Sequence, residues 1–259
     1  MAVFKETELI KLTGSFGDRE LRIEKAVPAK ANGIQVVFLH GVFSSANLGS
    51  ANKFRVLAGE MCKRGFTCWL TETSRNIHNR DDFEDQGEWV RLAFAGKAYA
   101  QELSDAMKMV REVIRRTKGQ PLWLWGFSLG GISACCCAAE PDINVKRLIV
   151  AGTGLYPKKK AEYMFELPIL NTLKQDADFD VMKKVRTDSF IAFRGQKDEI
   201  FPRKACEKLY DSIKTDRGRK LFCQLPYADH SIRCVNGVVK DRLMSEMAEI
   251  AAKFQEPED

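Results

Sequence analysis

No stretch of this 259-residue chain approaches 18 uninterrupted apolar residues, so no membrane-spanning helix is expected. The first residues, MAVFKETELIKLTG, interleave charges with apolar side chains and lack the continuous apolar core of a secretory leader. Histidine is scarce: His40, His78 and His230 are scattered, and no metal site is expected from them. The eight cysteines contain no C-x-x-C pair and no Cys/His cluster with zinc spacing. Cys135, Cys136 and Cys137 are consecutive, while Cys62, Cys68 and Cys223 fall inside apolar helix or strand patterns. Cysteine used as a small hydrophobe, in a chain without a leader, points to the reducing cytoplasm. The formal net charge of +6 is a modest excess, and its densest runs are Lys158-Lys159-Lys160 and Lys183-Lys184. No basic stripe alternates with aromatic residues, so a nucleic-acid partner is not expected.

What is present is ordinary for a globular domain: 45% hydrophobic and 29% charged residues, which excludes disorder on compositional grounds. The length suffices for one large domain with a sheet covered on both faces. Leu9–Leu12 and Glu20–Glu24 show partial period-2 alternation around the turn Gly14-Ser-Phe-Gly17, predicting an edge hairpin. Buried strands are predicted at 34–39, 66–70, 121–125, 145–151, 189–193 and 221–225. Between them, helical spacing marks Phe54–Cys62, Leu103–Ile114, the mostly apolar Ile132–Ala139, a helix opened by Pro202, and a closing helix over 239–254. Strand–helix alternation after a hairpin implies an α/β architecture with a mostly parallel central sheet.

Two segments break the alternation. Thr71–Lys97 is long and charged, so it is either functional or partly helical. Within it, Arg75 is expected to pair at the surface with Asp81 or Glu84, or else to hold a substrate carboxylate or phosphate, and His78 is expected to be solvated. Residues 153–188 carry Tyr156, Tyr163, Met164, Phe165 and Phe179 and are expected to form a small helical insertion over the sheet. These side chains either line an apolar acyl or aryl pocket or pack the insertion down.

Chemistry concentrates at Gly126-Phe127-Ser128-Leu129-Gly130-Gly131, a G-x-S-x-G between an apolar strand and an apolar helix. A serine thrust out of a sharp strand-to-helix turn needs neighbours without Cβ atoms. The helix N-terminus then aims N–H groups and partial positive charge at its oxygen. Serine is a weak nucleophile at neutral pH and needs a base oriented by a third group. Of the three histidines, His230 follows the last strand, whereas His40 sits in a His-Gly dipeptide suited to another task. Candidates for the acid are Asp198, then its neighbour Glu199, then Asp229, whose side chain should point away from that of the adjacent His230.

The order Ser…Asp…His resembles the α/β-hydrolase superfamily, and the resemblance runs from His40-Gly41 to His230. It implies the α/β-hydrolase fold, with 153–188 as a lid or cap on a single domain. It also implies that the backbone N–H groups of Val42 and Leu129 form an oxyanion hole, with His40 steering that loop. The activity so implied is ester hydrolysis of a small molecule through an acyl-enzyme, needing neither metal nor organic cofactor. A thioesterase or a carbon–carbon-bond hydrolase would use the same three residues, and a non-catalytic ligand-binding member of the fold is the alternative from another class. The sequence leaves the natural substrate and the oligomeric state open.

Overall fold

The structure, a computed structural model, describes residues 4–42, 44–50, 52–155, 167–173, 179–215, 219–233 and 240–254. The predicted hairpin forms from β1 (Glu6–Thr13) and β2 (Glu20–Val27), antiparallel with Leu12 opposite Leu21. Its outer strand is mostly exposed, as expected for an edge, and β2 adds antiparallel to β4 (Thr67–Glu72). From there the sheet is parallel: β4 pairs β3 (Gln35–Leu39), and β3 pairs β5 (Leu122–Phe127). Next come β6 (Val145–Ala151) and β7 (Arg186–Gly195). The two-residue β8 (Lys214–Thr215) and then β9 (Lys220–Leu225) both pair with β7. The two antiparallel pairings lie at the hairpin end, so the expected mostly parallel sheet is what the chain builds.

Period-2 alternation divides the strand side chains between two apolar layers. Val36, Phe38, Trp123 and Trp125 face α1 (Lys53–Lys63) and α7 (Lys240–Lys253), meeting Phe54, Met61, Leu243 and Met247. Val37, Leu39 and Leu124 face the other way. There they meet α2 (Gln86–Ala93), α3 (Tyr99–Thr117), α4 (Leu129–Ala139) and α6 (Arg203–Ser212). Helix α4 is buried from Leu129 through Ala138, which explains an apolar composition with no polar stripe. Fully burying one Leu or Phe side chain is worth about 1.5–3 kcal/mol, so these two layers dominate the fold's stability. Cys62, Cys68 and Cys135–Cys137 are packing atoms in them, as their sequence setting implied.

Strands β3, β5, β6, β7 and β9 run in one direction, so the loops that follow them emerge along one edge of the sheet. In parallel sheets this carboxyl edge is where ligands bind. The charged segment after β4 is partly helical: Asp85 caps α2 by accepting from the Gly87 N–H at 2.6 Å. Within 153–188 the structure describes α5 (Pro168–Asn171) and a 3₁₀ turn over Phe179–Lys184. Tyr156, Tyr163, Met164, Phe165 and the lysine run 158–160 lie outside the described residues, and with them most of the expected lid. Among the described residues no helix is long and apolar enough to cross a membrane.

Candidate active site

Ser128 stands at the junction of β5 and α4 with φ 53° and ψ −120°, a conformation that L-residues adopt only under constraint. The constraint is visible on every side. Its N–H donates to Ala151 O on β6 at 2.9 Å, and its carbonyl accepts from the Thr153 hydroxyl at 3.1 Å. Gly126 and Gly130 permit the turn: a Cβ on Gly126 would lie 2.2 Å from Gly130 O, and one on Gly130 would lie 2.4 Å from His40 O. Helix α4 therefore begins at Leu129, three residues earlier than its apolar spacing alone suggested.

His230, in the loop after β9, places Nε2 2.9 Å from Ser128 Oγ. Its Nδ1 lies 3.1 Å from both carboxylate oxygens of Asp198, in the loop after β7. Asp198 Oδ1 also accepts the N–H groups of Ile200 and Phe201 at 2.9 and 3.0 Å, which fixes the carboxylate before the imidazole arrives. The Asp198 side chain is wholly buried, and that of His230 is 22% exposed, so only the imidazole of this pair reaches the cleft surface. A polar chain serine–histidine–aspartate thus runs from the cleft into the protein. The thiol of Cys206 is pushed up to about 12 by burial and by the nearby Asp198 charge, so it stays protonated and inert at neutral pH.

The two rival carboxylates go elsewhere. Glu199 is exposed at the cleft rim. Asp229 accepts from the Arg233 N–H at 2.8 Å and faces its guanidinium at 3.3 Å. Val42 and Leu129 line the cleft beside Ser128. Leu129 opens α4, so its N–H is one of the helix's orphan donors.

The cleft has a volume of about 1480 Å³. Val42, Trp89, Leu129, Ile132, Leu170 and Leu173 form an apolar wall that merges with the core on the α4 side. Asn47, Asn52, Asn79 and Gln86 supply polar lining. Segment 71–97 contributes residues such as Arg80 and Trp89 to the lining.

Two readings of single residues need correction. Arg75 is neither paired with Asp81 or Glu84 nor open to the cleft: its side chain is fully buried against the rings of Trp89 and Phe94. Burial pulls its pKa down, opposed by the charges of Glu72 and Glu102. His78 is not solvated: its side chain is 6% exposed, with Asp18 2.8 Å from Nε2. Both departures have one cause. The segment is tied into the fold instead of looping into solvent: Trp89 and Val90 of α2 join the buried apolar layer, and the Asn76 N–H donates to Ala93 O at 2.9 Å. Thr153 and Gly152 were not singled out from the sequence. Thr153 braces the Ser128 carbonyl, and Gly152, at φ 57°, leaves room for His230, whose carbonyl lies 2.7 Å from where a Cβ would stand. The signal available was their position directly after β6, at the same sheet edge.

No protein-family model matches the chain, and no curated protein sequence does. Among solved structures, it superposes on a soluble variant of monoglyceride lipase from Saccharomyces cerevisiae with TM-score 0.66 at 15% identity, covering 98% of this chain and 97% of that one. Dienelactone hydrolase from Anabaena variabilis gives TM-score 0.62 at 18% identity, covering 96% of each chain. An α/β serine hydrolase without a lid from Xanthomonas campestris gives 0.58 at 14% identity, covering 96% and 94%. At such identities the likeness is one of fold. The chain has the α/β-hydrolase fold.

Proposed function

We propose that the protein is a serine hydrolase that cleaves carboxylic esters of small molecules. Ser128 is the nucleophile, His230 the base and then the acid, and Asp198 the group that holds the imidazole. The observation that carries this reading is the 2.9 Å contact of His230 Nε2 with the oxygen of a conformationally strained serine. Its other ring nitrogen rests on a buried carboxylate.

In this mechanism His230 accepts the Ser128 proton as Oγ attacks the ester carbonyl. Asp198 stabilises the imidazolium without itself taking the proton. Negative charge on the tetrahedral oxygen is met by the N–H groups of Val42 and Leu129, and loss of one such donor costs on the order of 10²–10³ in rate. His230 then returns the proton to the leaving alkoxide, and the same residue activates water to free the acid. No step calls on a metal or an organic cofactor. The apolar wall of Trp89, Ile132, Leu170 and Leu173 supports an acyl or aryl group on that side, with the alcohol portion among the polar residues. We infer one domain over 1–259, with 153–188 covering the mouth of the cleft. Free thiols at seven described cysteines support the expectation of a reducing compartment.

The test is a panel of acyl esters and thioesters of graded chain length, run with wild type and Ser128→Ala, beside labelling by a fluorophosphonate. Labelling and ester turnover that vanish together in Ser128→Ala support the reading. A preference for thioesters moves it to a thioesterase on the same residues. Folded protein that neither labels nor turns over any substrate is a binding member of the fold.

A further inference from the structure

The buried Arg75 has a partner that the proposed reaction gives meaning to. Its Nη2 lies 3.0 Å from Nε2 of His40, and His40 Nδ1 lies 2.8 Å from the carbonyl oxygen of Gly41. A guanidinium has donors only, so His40 Nε2 must be the acceptor. The ring's proton therefore sits on Nδ1 and is donated to Gly41 O. His40 stays neutral through the physiological range: burial, with the adjacent Arg75 charge, brings its pKa down to about 4 against the opposing pull of Glu102 and Glu72. The Gly41 carbonyl belongs to the same peptide unit as the Val42 N–H. In a trans peptide those two groups point in opposite directions, so a carbonyl drawn into the protein turns its N–H outward.

We propose that Arg75 is a positioning residue which, through the tautomer of His40, aims the Val42 N–H at the oxygen of the reacting carbonyl. This rests on the serine-hydrolase reading above and adds to it a determinant of the oxyanion hole. Arg75 is itself held from several directions. Its Nε donates to Thr73 O at 3.3 Å, and its guanidinium carbon lies 5.4 and 5.0 Å from the ring centroids of Trp89 and Phe94. Its carbonyl accepts the Asp18 N–H from the β1–β2 turn at 3.1 Å. Gly17 in that turn comes so close that a Cβ would lie 2.6 Å from the Arg75 carbonyl carbon. Burying a guanidinium is costly even with the charges of Glu72, Glu102 and Asp18 nearby, and a hydrophobe beside two aromatic rings would pack there more cheaply. What a hydrophobe lacks is the nearest donor to His40 Nε2, which the Thr73 N–H and hydroxyl approach only at 3.4 Å. Trp89 also lines the cleft, so the ring that clamps the guanidinium is one a bound acyl group would touch.

The first arm of the test is the tautomer, read by long-range ¹⁵N–¹H NMR at pH 7, where only three histidines need assignment. His40 in wild type is expected as the neutral, Nδ1-protonated form, and an Nε2-protonated or cationic His40 overturns the proposal. The second arm is kinetic. Arg75→Met is expected to lower kcat for an aryl ester about 10–100-fold with KM within about threefold, less than deleting a donor because the N–H is misaimed rather than removed. Arg75→Lys keeps a donor for Nε2 and is expected to hold kcat within about fivefold of wild type. Folded Arg75→Met with wild-type kcat overturns the proposal. Should Arg75→Met not fold, His40→Asn and His40→Leu replace it, since only asparagine keeps a donor near the Nδ1 position. Asparagine is expected to retain at least about tenfold more kcat than leucine, and equal losses refute the mechanism. If wild type shows no turnover and no fluorophosphonate labelling, the serine-hydrolase reading fails, while the tautomer arm, run on wild type and on Arg75→Met, still decides the Arg75–His40 link, since an unchanged tautomer in Arg75→Met refutes it.

Discussion

Replacing Asp198 by asparagine tests the polar chain at its most informative point, because the structure dictates which way the amide must face. Oδ1 accepts two backbone N–H groups, from Ile200 and Phe201, so the amide oxygen is obliged to take that position. The NH₂ then lands where Oδ2 was, 3.1 Å from His230 Nδ1. A donor there competes with the amide oxygen, itself 3.1 Å from Nδ1, and favours the tautomer whose Nδ1 accepts and whose proton sits on Nε2, which faces Ser128 Oγ. The base then points a proton at the hydroxyl it should deprotonate. The same wrong-tautomer change in a serine protease lowers kcat about 10⁴-fold, equivalent to about 5 kcal/mol of barrier. Both backbone hydrogen bonds survive, so thermal melting should shift by only a few degrees. Glu199→Gln alters an exposed side chain and should leave acylation within about threefold. Stopped-flow release of 4-nitrophenol from a 4-nitrophenyl ester measures acylation directly. The reasoning is refuted if Asp198→Asn acylates within tenfold of wild type, and refuted more specifically if Glu199→Gln is the slow variant.

Three further outcomes follow from the same geometry. Gly126→Ala drives a Cβ to 2.2 Å from Gly130 O, a backbone atom that cannot swing aside, and should destabilise the fold by roughly 3 kcal/mol in urea titrations; a wild-type midpoint would contradict the crowding. His40 has a folded-state pKa of about 4, below its unfolded value near 6.5. The unfolded chain therefore binds more protons in that window, and stability is lost as pH falls from about 6.5 to 4, by a total on the order of 3 kcal/mol. His40→Asn should flatten this part of the curve of unfolding free energy against pH, and an unchanged slope would show that His40 does not carry it. Ile132→Trp fills the apolar wall, so octanoyl esters should lose about tenfold or more in kcat/KM while acetyl esters stay within about threefold; equal losses would place the acyl group elsewhere.

Legibility along the chain followed how local each feature's cause is. The strand at 145–151 was read to the residue, since a continuous apolar run bounded by polar residues is a local signal. The turn at Ser128 was equally legible, because the glycines on both sides are demanded by contacts within a few residues, Gly126 against Gly130 O among them. His230 emerged from a count of three, and Asp198 from its place after β7. The segment 71–97 was opaque for the opposite reason. Whether Arg75 meets water or two aromatic rings depends on where α2 brings Trp89 and Phe94, and charge composition carries no trace of that.

By itself, then, the sequence determined the alternation that makes a parallel sheet, the tight turn that exposes one serine, and the short list of partners for it. Those are consequences of periodicity and backbone sterics, which act over a few residues. Only the tertiary structure decided that Asp198 rather than Glu199 lies at 3.1 Å from the imidazole, because neighbouring residues point to different sides and the loop's path selects one. It alone decided that His40 lies between Gly41 O and a buried guanidinium from a loop 35 residues away. Hydrogen bonds between distant segments depend on where the sheet brings its strand ends, and no local pattern records that meeting.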